Sequence, residues 1–222
     1  MPFVYSTGTF LMSRGLRLLG SLKIEGREMV PSSGPLLIVA NHQSNIDPPL
    51  IAASLPRRIY FMAKQGMFRN PLVAAVLKAY GVFPINRDGT DLAAVQWALR
   101  TLKSGASIIL FPEGTRSPGA MRRALPGVAM IALRSGAPIL PVGITGSERV
   151  GALWKVSLPR GEFRVKVGRP FNLPPSQGKV GREQLGTATT SIMERVAALL
   201  PESYRGVYSL EQGGPPRGRQ CG

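Results

Sequence analysis

Cysteine and histidine are nearly missing from this chain: Cys221 and His42 are the only ones. One cysteine rules out an intrachain disulfide framework, and one histidine without a cysteine pair argues against a zinc site. A reducing compartment is compatible with this usage. Acidic residues are scarce too: 12 Asp and Glu stand against 28 Lys and Arg, a net charge of +16. Such a field attracts polyanions, anionic membranes or phosphorylated small molecules. Aromatics make up 7% and no recognised nucleic-acid motif occurs, so nucleic acid is not expected as a partner. The longest apolar runs are PLLIVA, LVAAVL and PILPVGI, far short of the ~18 residues that a spanning helix needs. The first 13 residues carry no charged side chain, so the basic start of a signal peptide is missing. G-x4-G-K-[ST] and G-x-G-x-x-G are absent, which leaves nucleotide-cofactor loops without support. No G-x-S-x-G elbow exists either, which removes the usual mark of a serine hydrolase.

What remains suits a globular core and is too apolar for disorder. A 222-residue chain with 44% hydrophobic residues forms one sizeable domain, with room for a small appendage. The expected organisation is an N-terminal amphipathic, membrane-associated segment at 1–22, a main domain at 23–205 and a disordered tail at 206–222. The tail ends in EQGGPPRGRQCG, which has almost nothing to bury. At the other end, Phe3, Val4, Tyr5, Phe10, Leu11, Met12, Leu16, Leu18 and Leu19 are mixed with Arg14, Arg17 and Lys23. Apolar bulk beside basic residues suits a helix lying in a membrane interface. An ordinary helix docked on the core is the alternative.

Between the ends, short apolar runs alternate with helical patterns. LLIVA (36–40), IYFMA (59–63), VFPI (82–85), SIILF (107–111), APILPVGI (137–144) and FRVKVG (163–168) read as strands. Asp47 is expected to cap a helix opening with Pro48 and Pro49. PLVAAVLKAY (71–80), closed by Gly81, is a second helix. DLAAVQWALRTLKSG holds a third, with Asp91 in its first turn and Lys103 in its last. Further helices are expected from near Pro126 and within GREQLGTATTSIMERVAALL. This alternation predicts an α/β domain: a mostly parallel central sheet flanked by helices. Three polar clusters follow three of the strands: Asn41 and His42; Asn86 and Arg87; Pro112 to Arg116. In open α/β sheets the carboxyl edge forms the ligand crevice.

His42 is the natural general base, because imidazole alone among side chains titrates near neutrality when unperturbed. Asp47 lies a short loop away and can hold one ring nitrogen, leaving the other for substrate. A loop histidine and a helix cap would also explain H-x4-D by itself. Ser44 is near His42, but nothing marks it as an activated nucleophile, so a substrate is expected to supply the hydroxyl. In FPEGTRS (111–117), Gly114 lets backbone approach a ligand and Arg116 offers a bidentate fork for phosphate. Glu113 either accepts a hydrogen bond from a substrate hydroxyl or holds Arg116. Arg87 and Lys64 are further candidate phosphate ligands. Each cation alone has a bland reading as a solvated strand end. Three at one sheet edge, beside one base, indicate an anionic ligand.

In combination these pieces resemble the lysophosphatidic acid acyltransferase family, the glycerolipid acyltransferases. NHQSNID resembles its NHx4D motif, GVFPINR its second block, FPEGTRS its third and ILPVGI its fourth; KIEGREMVP and FMAKQGMFRNP fit the flanks. The resemblance runs in order from about Lys23 to about Phe171. It implies a helix-flanked, mostly parallel sheet and transfer of a fatty acyl group from acyl carrier protein or coenzyme A to the sn-2 hydroxyl of 1-acylglycerol 3-phosphate. Phosphatidic acid is then the product. The same chemistry on glycerol 3-phosphate, another lysophospholipid or a lyso-aminolipid is the alternative. His42 would deprotonate the acceptor and Asp47 would orient His42. Arg87, Glu113, Gly114, Thr115 and Arg116, with Lys64, would bind the glycerol phosphate, and Pro141 would shape the fourth block. No metal, cofactor or acyl-enzyme is implied beyond the thioester co-substrate. The family works at the cytoplasmic face of the cell membrane, as peripheral or monotopic proteins, which suits the basic charge and implies an anionic membrane surface as partner. The chain departs from the family at Gly66, where members often carry an acidic residue. It departs again at Ala124 and Leu125, where many carry phenylalanine then lysine. These differences bear on the acceptor and not on the reaction class.

Overall fold

The computed structural model describes residues 2–86, 91–150, 156, 159–174 and 180–209. Seven strands form one sheet: β1 (Gly20–Glu25), β2 (Leu36–Ala40), β3 (Ile59–Lys64), β4 (Val82–Ile85), β5 (Ser107–Leu110), β6 (Ile139–Thr145) and β7 (Gly161–Val167). Their order across the sheet is β1-β7-β6-β2-β5-β3-β4. The run from β6 to β4 is parallel. β7 is antiparallel to β6, and β1 follows β7 in parallel. Among the described residues seven α-helices accompany the strands: α1 (Pro2–Leu19), α2 (Asp47–Ser54), α3 (Pro71–Tyr80), α4 (Leu92–Lys103), α5 (Gly127–Ser135), α6 (Arg182–Ala197) and the single turn α7 (Glu202–Arg205). The expected helix-flanked, mostly parallel sheet is what forms.

Two apolar clusters hold it together, one on each face. All five residues of β2 are buried, because the central strand is covered on both sides. Leu36, Ile38 and Ala40 meet α1 and α2. Leu37 and Val39 meet α4, α5 and α6. The covering helices bury one stripe each, as the helical period requires: Ala94, Val95, Ala98 and Leu102 in α4, and Ala188, Ile192, Met193, Val196 and Ala197 in α6. Among the described residues no helix is long and apolar enough to cross a membrane.

Several details differ from the sequence reading. β1 begins at Gly20, so the expected boundary between residues 22 and 23 falls inside a strand. As an edge strand it half-buries only alternate side chains, which leaves little apolar signal. Asp91 precedes α4 as its N-cap, accepting the Ala94 N–H at 2.9 Å, instead of lying within the first turn. Of the expected tail, 206–209 is docked: the Tyr208 hydroxyl accepts the Ala124 N–H at 3.0 Å. Residues 210–222 lie outside the described residues. The N-terminal segment is a helix docked on the core, with apolar residues left on its outer side. Tyr5 and Leu16 are buried in the core, with Met12 against it, while Phe3, Phe10, Leu11 and Leu18 face outward, 61–80% exposed.

Gly146 shows how tightly the β6–β7 edge is built. Its φ is +85°, and a Cβ there would sit 1.9 Å from the Glu162 carbonyl oxygen. Gly34 has a similar φ of +83° with nothing within 4 Å. Gly146→Ala should therefore cost more than Gly34→Ala. The left-handed backbone alone costs ~1–2 kcal/mol, and the clash adds to it for Gly146 only. A fall in Tm of about 4–8 °C or more is expected for Gly146→Ala. Thermal unfolding of the two variants side by side isolates the backbone contact.

Candidate active site

The site begins where β2 stops. Asn41 turns its side chain back into the sheet, donating from Nδ2 to the Ile144 carbonyl at 2.9 Å and accepting the Ile144 N–H at 2.8 Å. This ties the exit of β2 to β6. His42 then stands just beyond the sheet. Its Nδ1 lies 2.8 Å from Asp47 Oδ2. The same oxygen accepts the N–H groups of Gln43 at 2.6 Å and Ser44 at 2.8 Å. The carboxylate is held by backbone and in turn holds the imidazole. Asp47 is fully buried, whereas the His42 side chain keeps 12% exposure. His42 stacks on Phe111, ring centres 4.3 Å apart. No hydrogen bond from a described residue occupies its Nε2, which leaves that atom for a ligand.

The expected capping role of Asp47 does not hold. It is the first helical residue of α2, Ile46 occupies the cap position, and no side chain caps the helix. Pro48 and Pro49 have no N–H to satisfy, so the carboxylate is free to turn away from the helix toward His42. The helix start still favours the negative charge. Ser44 is also committed elsewhere: its hydroxyl donates to the Val150 carbonyl at 2.5 Å.

The FPEGTRS loop leaves β5, the neighbour of β2, and three hydrogen bonds staple it to the histidine loop. The His42 N–H donates to Glu113 Oε1 at 2.8 Å, the Ser117 N–H to the His42 carbonyl at 2.7 Å, and the Gly119 N–H to Gln43 Oε1 at 2.6 Å. Glu113 Oε2 accepts the Arg122 N–H at 2.9 Å. Both carboxylate oxygens thus serve main-chain donors. Glu113 does not hold Arg116, which is exposed and forms no ion pair among the described residues. Burial pushes the Glu113 carboxyl up from its ordinary value, against the pull of the Arg122 and His42 N–H groups. The folded chain therefore holds this proton more tightly than the unfolded chain. Glu113 contributes stability at acid pH that is lost as pH rises from the ordinary carboxylate range through the raised value. Glu113→Gln should abolish that component. The wild-type-minus-variant difference in Tm, followed from acid to neutral pH, should slope in this sense. The amide accepts from one N–H only, so an offset of roughly 1–3 kcal/mol against the variant is expected on top.

The remaining candidates disperse around the same edge. Gly114 has φ +70°, and a Cβ on it would come within 2.7 Å of Leu125 Cδ1. Thr115 and Arg116 are exposed on the loop. Lys64 is exposed at the end of β3, in register with Ile85 of β4. Because β2, β3, β4 and β5 are parallel, His42, Lys64, Asn86 and Glu113 all leave one edge of the sheet. Arg87 lies outside the described residues. Pro141 is buried within β6 opposite Val39, its carbonyl accepting the Gly168 N–H at 2.9 Å. It falls between the β6–β7 ladder and the Ile139–Phe171 bridge, where a missing N–H is tolerated.

Sequence reasoning missed the supports. Gln43, Phe111 and Ser117 lie inside the motifs but reveal their contacts only in the fold. Tyr204 and Tyr208 lie far downstream. Tyr204 accepts the Met121 N–H at its carbonyl and donates its hydroxyl to Glu148 Oε1, at 2.9 and 2.8 Å. With the Tyr208 bond to Ala124, the C-terminal turn clamps the loop that follows FPEGTRS. No spacing signals this. Among the described residues no group of three or more His, Cys, Asp or Glu side chains converges as metal ligands would.

A histidine held by a buried carboxylate thus stands at the carboxyl edge of an α/β sheet. Comparison with known proteins gives the class. The model of the Acyltransferase family matches residues 21–145, more than half of the chain, and the chain belongs to that family of acyl-transferring enzymes. It is 26% identical over 187 residues to a 1-acyl-sn-glycerol-3-phosphate acyltransferase of Bacillus subtilis, covering 83% of this chain and 90% of the relative. The chloroplastic 1-acyl-sn-glycerol-3-phosphate acyltransferase BAT2 of Brassica napus is 32% identical over 153 residues, 67% of this chain and 44% of that longer one. A lyso-ornithine lipid O-acyltransferase of Pseudomonas aeruginosa is 34% identical over 113 residues, 50% of this chain and 43% of the relative. The crystal structure of the 1-acyl-sn-glycerophosphate acyltransferase PlsC of Thermotoga maritima superposes with a TM-score of 0.70 at 27% identity, covering 89% of this chain and 79% of that one.

Proposed function

We propose that this enzyme moves a fatty acyl group from an acyl carrier protein or coenzyme A thioester to the free sn-2 hydroxyl of 1-acylglycerol 3-phosphate, giving phosphatidic acid for phospholipid synthesis. The observation that carries the reading is the His42–Asp47 pair with Nε2 left open. The acceptor hydroxyl gives its proton to Nε2 as its oxygen attacks the thioester carbonyl carbon. The tetrahedral adduct collapses, the carbon–sulfur bond breaks, and the departing thiolate takes the proton from the imidazolium. Asp47 keeps Nδ1 protonated and steadies the transient positive ring. The chemistry needs no cofactor beyond the thioester co-substrate. Arg116, Lys64 and Arg87 supply charge for the acceptor phosphate, with Arg122 and Arg123 on the same loop. The names of the Bacillus, Brassica and Thermotoga relatives support this acceptor.

The second reading keeps the chemistry and changes the acceptor to glycerol 3-phosphate, another lysophospholipid or a lyso-aminolipid. The similarity to the Pseudomonas lyso-ornithine enzyme favours it. Under either reading the protein works at the cytoplasmic face of the cell membrane, held peripherally or monotopically on anionic lipid. The +16 charge and the outward apolar face of α1 support this placement.

The deciding experiment presents purified protein with acyl thioesters of both carriers and 1-acylglycerol 3-phosphate in mixed micelles. Phosphatidic acid and free thiol are measured together. Equal yields of both support the first reading. Thiol release that rises only with a different acceptor selects the second, and no thiol release with either carrier and any of these acceptors rejects both.

A further inference from the structure

We infer that α3, with the short 3-10 turn Gln65–Phe68 before it, is a second lipid-contacting element, so that the bilayer meets this enzyme through two adjacent helices. The inference rests on the membrane placement proposed above and extends it to a part of the chain outside the N-terminal segment.

α3 is PLVAAVLKAY, with Lys78 its only charged residue, and yet none of its ten residues is buried. Leu72 is 77% exposed and Val76 59%. A helix so apolar would be covered on all sides in the interior of a soluble domain. Its ends are well formed. The Asn70 side chain accepts the Leu72 and Val73 N–H groups at 2.9 and 3.2 Å, and Gly81 closes it with φ +99°. The exposure is a property of a stable helix, not of a frayed one.

The surface is shared with α1. Tyr80, at the end of α3, packs its ring on Tyr5 at 4.9 Å, and a Cβ on Gly8 of α1 would lie 2.9 Å from that ring. Twelve large hydrophobic residues are exposed among those described. Phe3, Phe10, Leu11, Leu18 and Leu19 lie on α1, and Met67, Leu72, Val73 and Val76 on the turn and α3, so nine of the twelve cluster on these neighbouring elements. Single exposed apolar residues are ordinary, but clustering of this kind marks an interface.

Charge identifies the occupant. From Met1 to Ile24 and from Pro48 to Arg87 the sequence contains no acidic residue. Arg14 and Arg17 flank the outer face of α1; Lys64, Arg69 and Lys78 flank α3, all exposed. Long basic side chains around an apolar face suit the headgroup region of an anionic bilayer, with their stems along the hydrocarbon and their charges at the phosphates. The turn and α3 also leave the sheet directly after Lys64, at the edge that carries His42. A lipid acceptor held in the bilayer is thereby brought to the catalytic edge.

The test uses the full chain. Leu72→Ser/Val76→Ser on α3 and Phe10→Ser/Leu18→Ser on α1 are compared with wild type by flotation on vesicles of phosphatidylcholine with phosphatidylglycerol. Tm and thiol release with a short-chain, monomeric lysophosphatidic acid are measured in parallel. The α3 variant should lose roughly tenfold or more in vesicle binding while Tm and thiol release stay at wild-type values. Wild-type flotation by the α3 variant overturns the inference, and loss by the α1 variant alone then leaves membrane attachment standing without α3. Failure of the wild type to float rejects both membrane readings, and the thiol assay judges acyl transfer separately. A wild-type dimer that the α3 variant abolishes, with flotation unchanged, assigns the face to a second copy and also overturns the inference.

Discussion

Replacing Asp47 by alanine should remove both activity and a large part of the stability. One oxygen, Oδ2, receives the N–H groups of Gln43 and Ser44 and stands 2.8 Å from His42 Nδ1. The residue is fully buried, so water cannot replace it. Each buried donor left unmet costs roughly 1–3 kcal/mol, and two backbone donors together give about 2–6 kcal/mol. Asp47→Asn separates the two effects. The amide oxygen can still accept from the loop, but no carboxylate remains to favour the imidazolium. Acyl transfer should fall by roughly 10³–10⁴-fold in the asparagine variant, with a much smaller loss of Tm than in the alanine variant. Denaturant unfolding and initial rates measured on both proteins check the pair. Equal activity in wild type and Asp47→Asn would reduce Asp47 to a structural residue.

The second large effect is expected at His42. Its ring stacks on Phe111 and is only 12% exposed, so His42→Ala removes a largely buried ring and leaves Asp47 without its imidazole partner. Its backbone bonds to Glu113 and Ser117 do not involve the side chain. The fold should survive with a moderate fall in Tm, because the loop keeps these main-chain bonds, while acyl transfer drops by roughly 10²–10⁴-fold, the range of a positioned general base. His42→Gln is the companion variant, since it keeps a polar side chain but cannot take up the proton. Both should be equally inactive in the thiol assay. Activity retained in either would move the proton acceptor elsewhere and undo the proposed mechanism.

The parts of this protein that were legible beforehand are those specified within a few neighbouring residues. LLIVA reads as a buried strand because a central strand is apolar on both faces. α3 and β4 begin and end as expected because Asn70, Pro71 and Gly81 punctuate them locally. The closeness of His42 to Asp47 was legible for the same reason, since only four residues of one loop lie between them.

The tertiary structure decided what those local signals left open. In the sequence Asp47 fits a helix cap or a partner for His42; the prolines after it and the loop N–H groups before it turn its carboxylate toward His42. Glu113 is 71 residues from His42, and only the adjacency of β2 and β5 brings its carboxylate to the His42 N–H. The clamp from Tyr204 and Tyr208 depends on a chain reversal after α6 that no motif announces. β1 gave almost no pattern, because an edge strand buries one face alone. α3 shows the limit from the other side: a nearly all-apolar decapeptide looks the same whether its surroundings are protein or open surface. Local chemistry, carried by sequence neighbours, determined the elements and the closeness of His42 to Asp47. Packing, which depends on residues far apart in the chain, determined which groups face each other and which apolar face remains uncovered.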